Sequence, residues 1–468
     1  MRGFSGCFQW ILLAVLTSSA WGSENPPVAK YVFLFIGDGM SVPQRMMAEE
    51  FQQEVHKKGL VMNSFPYQVL TKTPSANSFI TDSAASGTAI ACGEKTNNGR
   101  IGTDPTGKRL ESIARTAHKS GRRVGILTSV TLNHATPASF YGYNDSRGNY
   151  YSLGLDLIHS GFEFFAGGAI DRYNDEKDGK FQGNIYELAQ KEGYQVFHEK
   201  SDLSKIEPGM GKVILCRKDG ALPYAIDAEE GDLELVELTR KGIEMLDNPQ
   251  GFFMMVEGGK IDWMCHANDA GTVLRETIHL DEAIQVAYEF AQKHPDETLI
   301  VVTGDHETGG LTLGFAGTGY QSYIHRLQFQ KCSQDVFRSR LQKELEKLPK
   351  DAKWEAIQPL LTESFGLAFT EDRENPMRVR SAERKMLEEA FQNSFQEKKI
   401  SASPLTTTTV RLFNNKAGLA WTTNAHTALP VNTTAYGVGA EVFSGMIDNT
   451  DIAKKLRPIL QQPAVSSK

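Results

Sequence analysis

Short apolar runs that each end in a polar cluster recur along this chain of 468 residues. Stretches with helical spacing lie between them, at 110–119, 233–246 and 279–293. Apolar runs of this length alternating with helices are typical of buried parallel strands. The alternation predicts an α/β fold, a three-layer α/β/α sandwich around a mostly parallel central sheet. The four predicted strands are 31–36, 123–130, 251–256 and 298–303.

The polar clusters are candidate functional residues because ligands bind at the carboxyl ends of the strands in such sheets. In the first cluster, "IGDGM", Asp38 lies between two glycines that allow a sharp turn. An aspartate after a strand is equally typical of a helix N-cap, so this cluster alone decides nothing.

The second and third clusters carry residues that suit metal ions. "VEGGKIDWMCHA" holds Glu257, Asp262 and His266, and the last two are four residues apart, on one helical face. "VVTGDHETGG" places Asp305 and His306 at the end of an apolar strand. Ionisable side chains delivered by a buried strand need a partner, and a cation supplies one directly.

A fourth cluster, "WTTNAHTALPV", contributes His426 among small and polar residues. Zinc accepts nitrogen and oxygen ligands, whereas magnesium prefers oxygen alone. The acids and histidines of the four clusters therefore fit two zinc ions and one magnesium ion.

The stretch "FITDSAASGTAIACG", residues 79–93, has one acid, Asp82, followed by Ser83 and a run of very small residues. Such runs often mark close packing of a helix against a neighbour. They also suit a helix N-terminus that directs its N–H groups at an anion, with Ser83 as a nucleophile at its tip. Both interpretations stay open on this stretch alone.

A further stretch, "NHATPASFYGYNDSR", contains a hydroxyl and a guanidinium group that suit a phosphate site. Thr136 could offer its hydroxyl to a magnesium ion. Arg147 could bind two phosphoryl oxygens with its planar fork, although a single arginine is more often a solvated surface residue.

These motifs together resemble the alkaline phosphatase family. The motifs occur in the family's order from residue 37 to residue 431: "GDGM", "TDSAASGTA", "HATPA…SR", "VEGGKID…H", "TGDHETGG" and "AHT…PV". The resemblance implies a hydrolase of small phosphate monoesters in which Ser83 becomes phosphorylated, Arg147 binds the phosphate and Asp82 orients Arg147. It implies a homodimer and three ion sites: Asp262, His266 and His426 for one zinc, Asp38, Asp305 and His306 for the other, and Asp38, Thr136 and Glu257 for magnesium.

Two positions vary within that family, and here they are His134 and Trp263. If the segment around His134 is extended, its side chain points to the same side as Thr136 and contacts the surroundings of the magnesium site without completing it. Trp263 is expected near the phosphate entrance. Both residues are expected to tune the enzyme.

The residues around Ser83 and Arg147 argue against three alternative functions. A sulfatase needs a modified Cys or Ser followed by x-Pro-x-Arg, whereas Ser83 is followed by Ala-Ala-Ser. A phosphodiesterase of the same superfamily usually lacks an arginine in the place of Arg147. A non-catalytic phosphate- or metal-binding protein would lack at least one of these groups, and none is missing.

The N-terminus predicts export. Residues 1–22 hold a single charge, Arg2, and a short apolar run followed by small residues, which is typical of a signal peptide cleaved after Gly22. A retained N-terminal anchor is the alternative. No later segment of the sequence predicts a transmembrane anchor, so the mature chain, 23–468, is expected to be a soluble periplasmic or secreted protein. The formal net charge of -7 argues against a general nucleic-acid-binding protein.

The region from about 321 to 417 is charged and predicted to be helical, without strand–helix alternation. It is interpreted as a helix-rich insertion between two pieces of the main sheet.

The mature chain has four scattered cysteines, Cys92, Cys216, Cys265 and Cys332, with no CxxC motif. Cys92 and Cys265 are expected to be buried small residues, and the disulfide state of the four is left open.

Overall fold

The computed structural model describes residues 29–349, 351–396 and 399–462. The predicted signal peptide therefore lies outside the described residues. The strands are β1 (Tyr31–Gly37), β2 (Tyr67–Lys72), β3 (Arg123–Thr131), β4 (Phe164–Gly168), β5 (Tyr194–Phe197), β6 (Lys212–Cys216), β7 (Phe252–Gly258), β8 (Thr298–Gly304), β9 (Glu307–Thr308), β10 (Leu311–Thr312), β11 (Phe395–Gln396), β12 (Lys399–Ile400), β13 (Ala420–Trp421), β14 (His426–Thr427), β15 (Val431–Gly437) and β16 (Met446–Asp448).

Fifteen α-helices connect and cover these strands in the described part of the chain. They are α1 (Val42–Phe51), α2 (Val61–Ser64), α3 (Ser83–Cys92), α4 (Ile113–Lys119), α5 (Ala135–Ala138), α6 (Tyr150–Ile158), α7 (Ile185–Lys191), α8 (Leu235–Leu246), α9 (Lys260–His266), α10 (Ala270–Lys293), α11 (Gln334–Lys347), α12 (Gln358–Phe365), α13 (Ser381–Ser394), α14 (Ser403–Ala417) and α15 (Asn449–Gln461). No described helix combines the length and apolar character that crossing a bilayer requires.

Ten strands form one central sheet in the order β16-β2-β15-β8-β1-β7-β3-β4-β6-β5. Only β15 runs against its neighbours among the paired strands of this sheet. The mostly parallel sheet confirms the fold predicted from the alternating runs, and all four predicted strands lie in it.

Side chains on alternate positions of β1 enter two separate hydrophobic cores. Phe33 and Phe35 pack into one core together with α8 and α10. Val32, Leu34 and Ile36 pack into the other core together with α4, α6 and α15. Because a strand directs successive side chains to opposite faces, a sheet covered by helices on both faces needs apolar residues at every position. This is the reason that the predicted strands are continuously apolar, and it confirms the three-layer architecture.

The register of the central strands brings the polar clusters to one edge of the sheet. Gly37 of β1 pairs with Gly258 of β7 on one side and with Gly304 of β8 on the other. Asp38 and Asp305 follow directly after two of these glycines, and Glu257 comes just before the third. The three carboxylates therefore lie side by side where the three strands end.

The region from 321 to 417 contains α11 to α14, two short 3₁₀ helices and the small β11–β12 pair. It lies between β8 and β15, which are neighbours in the central sheet. The helical content is as predicted, while the interpretation of this region as an insertion stays a prediction.

The four cysteines of the described chain, Cys92, Cys216, Cys265 and Cys332, are all buried and free of disulfides.

Candidate active site

Ser83 is the first residue of α3, at the edge of the sheet where the carboxylates meet. Asp82 caps this helix, because its side chain accepts a hydrogen bond from the backbone N–H of Ala85 at 3.0 Å. The Ser83 side chain is buried, and its Oγ lies 3.2 Å from Nε2 of His306 and 3.5 Å from Oδ1 of Asp38. The serine thus lies at a helix N-terminus and beside a cluster of acids and histidines.

The small residues of α3 allow the helix to enter this crowded region. All ten of its residues are buried. A Cβ atom on Gly87 would lie 2.8 Å from Oγ of Ser139 and 3.3 Å from the backbone of Thr136. The two interpretations of the small-residue run are therefore compatible, since close packing against α5 is what holds Ser83 in place.

Asp38, Asp305 and His306 form one cluster, here called the inner cluster. All three side chains are fully buried, and Nε2 of His306 lies 3.3 Å from an oxygen of each aspartate. Oδ1 of Asp305 accepts hydrogen bonds from the backbone N–H groups of Gly39 and His306. Gly39 has a φ of +70°, and a side chain there would collide with Asp262. The glycine after Asp38 is therefore required by the turn.

Asp262, His266 and His426 form a second cluster, here called the outer cluster. The Nε2 atoms of the two histidines lie 3.2 Å apart. Their Nδ1 atoms face backbone carbonyls, that of Asn424 at 2.6 Å and that of Thr81 at 2.8 Å. A histidine that donates through Nδ1 leaves Nε2 as a lone-pair donor, which is the arrangement found at metal sites.

The pairing of β9 with β14 brings His426 to this place, since His426 pairs with Thr308. The imidazole of His426 stacks on that of His306, with ring centroids 3.7 Å apart. The outer and inner clusters are therefore in direct contact, although their residues come from distant parts of the sequence.

Asp38, His134 and Glu257 form a third cluster of potential ligand atoms. Oγ1 of Thr136 is buried with no hydrogen-bond partner among the described residues. The condition of an extended segment is met only at His134, which is the N-cap of α5, because Thr136 lies inside that helix. The imidazole of His134 nevertheless reaches the cluster, and burial lowers its pKa to about 3, which keeps it neutral.

The three clusters bury more negative charge than the protein neutralises. Burial, followed by the charge of the other acids, raises the pKa of Asp38 well above its usual range. Burial likewise raises the pKa of Asp305, and it raises the pKa of Glu257 to about 7. Several buried polar atoms have no hydrogen-bond partner among the described residues: Asp38 Oδ2, Asp305 Oδ2, Glu257 Oε1 and Thr136 Oγ1. Bound cations would satisfy these oxygens and restore the ordinary ionisation of the acids, so the residues present fit metal ions.

Arg147 is the positive group at the site. Its Nη1 donates to Oδ2 of Asp82 at 3.1 Å, and its Nη2 lies 3.4 Å from Nε2 of His134. Burial would lower the pKa of Arg147, but the charges of Asp82 and Asp38 outweigh that effect and raise it. The ring of Trp263 lies edge-on to that of His134, with centroids 6.1 Å apart. All residues predicted for the site therefore lie around the N-terminus of α3.

Two residues that support the clusters were missed by the sequence reasoning. Oγ1 of Thr308 donates to Oδ1 of Asp262 at 2.6 Å and lies 3.2 Å from Nδ1 of His306, so it contacts both clusters. Asn424 holds His266 through its carbonyl group. Thr308 is part of the quoted "TGDHETGG" motif, which was a usable signal, whereas no sequence pattern marks a backbone carbonyl.

Comparison with known proteins decides the family. The sequence model of alkaline phosphatase matches residues 29–462. The chain belongs to the alkaline phosphatase family. It is a metal-dependent phosphoric monoester hydrolase. The three clusters around Ser83 are groups of side chains that could hold metal ions.

Individual alkaline phosphatases resemble the chain over nearly its whole length. Alkaline phosphatase 3 of Bacillus subtilis is 30% identical over 448 residues, covering 93% of this chain and 90% of the relative. The cold-active enzyme from a psychrophilic Shewanella superposes with a TM-score of 0.78 at 29% identity, covering 92% of this chain and 100% of that one. A histidine-to-aspartate mutant of the enzyme from the Antarctic bacterium TAB5, with magnesium in its M3 site, has a TM-score of 0.64 at 25% identity, covering 93% and 99% of the two chains.

Proposed function

We propose that the chain is an exported phosphate-monoester hydrolase that acts through a phosphoserine at Ser83, with two zinc ions and one magnesium ion. The observation that carries this proposal is the position of Ser83. Its Oγ lies at the start of α3, 3.2 Å from Nε2 of His306 and 3.5 Å from Oδ1 of Asp38. A hydroxyl placed between a helix N-terminus and a set of metal ligands is suited to nucleophilic attack on phosphorus.

The ligand chemistry supports the assignment of the ions. Mixed nitrogen and oxygen donors in the outer and inner clusters suit zinc, with Asp262, His266 and His426 holding one ion and Asp38, Asp305 and His306 the other. The oxygens of Asp38, Thr136 and Glu257 suit magnesium. The magnesium in the TAB5 mutant is consistent with a third ion of this kind. When bound, such ions lower the pKa of hydroxyl groups and neutralise charge on the phosphoryl group.

The chain's own residues perform two displacements at phosphorus. Arg147, oriented by Asp82, binds two non-bridging oxygens of the phosphate and holds the phosphorus in line with Ser83. Oγ of Ser83 releases its proton to solvent water and forms a bond to phosphorus, while the bond from phosphorus to the leaving oxygen breaks and that oxygen takes up a proton from water. Water then attacks the phosphoserine from the opposite side, which breaks the Oγ–P bond. Two inversions retain the configuration at phosphorus.

Export and dimer formation are part of the same proposal. Residues 1–22 are assigned as a signal peptide cleaved after Gly22, and residues 321–417 as an insertion in the catalytic domain. A homodimer is supported by exposed apolar side chains on two adjacent loops, Phe79 and Ile80 on one and Leu429 on the other. These loops meet where Nδ1 of His426 faces the carbonyl of Thr81.

Metal removal tests the catalytic proposal. The purified protein is treated with a chelator, assayed with a chromogenic phosphate monoester, and assayed again after zinc and magnesium are added singly and together. We expect activity at alkaline pH that is lost on chelation and fully restored only by both ions. A metal analysis of the purified protein gives the stoichiometry. Full activity after complete metal removal would overturn the proposal.

A further inference from the structure

A cavity of about 850 Å³ lies beside the outer cluster. Its wall on the catalytic side includes Trp263 and His266 of α9. Its opposite wall comes from the helix-rich region, where α11 contributes Gln334 and α14 contributes Arg411. The volume is within the range of about 300–1,000 Å³ that is typical of small-molecule sites. The phosphate itself is much smaller than this space.

The direction of the reaction connects this cavity to the leaving group. An in-line displacement places the leaving oxygen on the side of phosphorus opposite to the nucleophile. Ser83 lies against the inner cluster, and the outer cluster lies next to it through the stacked rings of His306 and His426. His266 of the outer cluster also lines the cavity, so the cavity adjoins the side of the site on which we place the departing group.

The walls of the cavity combine aromatic rings with polar groups that have no partner. Trp263, Phe315 and Trp421 line it. The side-chain amides of Gln334 and Asn415 form no hydrogen bond within the described part of the chain, and Arg411 forms no ion pair there. The other arginine of the cavity wall, Arg338, pairs with Asp335, whereas the guanidinium group of Arg411 is available to a ligand. Aromatic faces with free amides and a free guanidinium group are the features that recognise flat rings with polar substituents.

We propose that this cavity binds the leaving group of the substrate, and that the preferred substrates are monoesters whose leaving alcohol carries a planar aromatic ring system with hydrogen-bonding groups. A nucleoside and a substituted phenol are the two sources of that chemistry. The proposal rests on the proposed function, since it takes Ser83 as the nucleophile. It also gives the helix-rich region a role, because two of its helices supply one wall.

The experiment compares three substrates in the metal-loaded enzyme: adenosine monophosphate, phosphotyrosine and glycerol phosphate. Phe315→Ala and Arg411→Ala remove cavity groups that the catalytic machinery does not include. Arg340→Ala is the matched control, because it removes an exposed arginine from the same region without touching the cavity. We expect Phe315→Ala to lower kcat/KM for the aromatic substrates about tenfold. We expect Arg411→Ala to lower it several-fold, and glycerol phosphate to change less than twofold in either variant.

A loss on adenosine monophosphate alone supports the cavity and identifies a nucleoside as the occupant, and a loss on phosphotyrosine alone identifies a phenol. A loss on both supports recognition of the ring itself. Equal changes on all three substrates, or no change on any, would overturn the proposal.

Binding without turnover separates this proposal from the proposed function. Adenosine and tyrosine, which carry no phosphate, are titrated into the protein while tryptophan fluorescence is followed, since Trp263 and Trp421 line the cavity. We expect saturable quenching by at least one of them that Phe315→Ala weakens and Arg340→Ala does not. If no substrate is hydrolysed, the proposed function fails, but this titration still shows whether the cavity binds an aromatic ring. Absence of quenching by both compounds would count against the cavity even in an active enzyme.

Discussion

The edge of the central sheet and the helix-rich region from 321 to 417 use charged residues in opposite ways. At the sheet edge, Asp38 and Asp305 are fully buried, and each has an oxygen without a hydrogen-bond partner in the described structure. In the helix-rich region, many charged side chains lie at the surface and pair with one another, as Arg384 does with both Glu355 and Glu388. The carboxylates of the sheet edge are buried without enough hydrogen bonds or positive charge around them. The charged side chains of the helix-rich region are solvated or paired with a neighbour of opposite charge.

The difference in how charge is buried indicates different roles for the two regions. Buried, unpaired charge is costly for folding and persists where a ligand, here a cation, compensates it. Exposed pairs cost little and contribute little. Substitutions at the sheet edge should therefore change catalysis strongly, whereas substitutions in the helix-rich region should act on substrate choice or hardly act at all.

The largest effect is expected from Ser83→Ala. Removing the hydroxyl removes the covalent intermediate, and we expect kcat to fall on the order of 10³-fold or more, because the remaining groups can still activate water. The measurement is the steady-state rate together with acid-quenched protein after incubation with labelled phosphate. Ser86→Ala is the control, since Ser86 lies one turn further along α3 and its Oγ donates to the carbonyl of Asp305. The control should keep the label, and label in Ser83→Ala would contradict the assignment of the nucleophile.

The sequence predicts the residues at the sheet edge better than it predicts contacts between distant parts of the chain. The three candidate carboxylate ligands lie at the ends of buried strands, so the apolar runs and the parallel sheet place Asp38, Glu257 and Asp305 at one edge. Thr308 shares a motif with His306 and could have been assigned. The contact of His426 with His306 of the inner cluster depends on the two-residue β9–β14 pairing, which no local sequence pattern reveals.

The sequence did not reveal that Thr136 is helical, because the helix α5, which starts after His134, is short. Its Ala-Thr-Pro-Ala sequence is too short to show a helical period. The cavity was equally out of reach, since its two walls come from distant parts of the sequence: Gln334 and Arg411 lie 68 and 145 positions after His266. Periodicity identifies the helices of 321–417, but it does not specify what they face.

Arg147→Ala is expected to have the next largest effect. A charge-assisted bidentate contact contributes on the order of 1.5–3 kcal/mol, so kcat/KM for monoesters should fall about 10- to 150-fold. Diester hydrolysis should fall less, because a diester offers fewer free oxygens and less charge. Arg100→Ala is the matched control, since Arg100 pairs with Asp145 at the surface beside the site. Equal losses on monoesters and diesters would place Arg147 outside the phosphate site and leave a phosphodiesterase as the better interpretation.

A smaller effect is expected from His134→Asp, measured as the magnesium concentration that gives half-maximal activity. The neutral imidazole adds no charge to the third cluster, whereas an aspartate would add one beside Asp38 and Glu257. We expect the required magnesium concentration to fall about tenfold. His134→Asn, which is uncharged and of similar size, should not show this change. Direct magnesium binding by calorimetry provides a readout independent of turnover, and unchanged binding would contradict the placement.

The smallest effect is expected from breaking an exposed pair in the helix-rich region. Arg340 of α11 lies 2.7 Å from Glu363 of α12, and both side chains are largely exposed. Water screens such a pair and the two long side chains lose freedom on pairing, so Arg340→Ala should lower the free energy of unfolding by less than about 1 kcal/mol. Denaturant unfolding of the metal-loaded protein measures this change, and kcat should stay at its original value. A loss of several kcal/mol would mean that this region holds charge as the sheet edge does, since only a pair removed from water couples that strongly to folding. The two regions would then differ in where they lie in the fold, and not in how strongly their charged side chains are exposed to solvent.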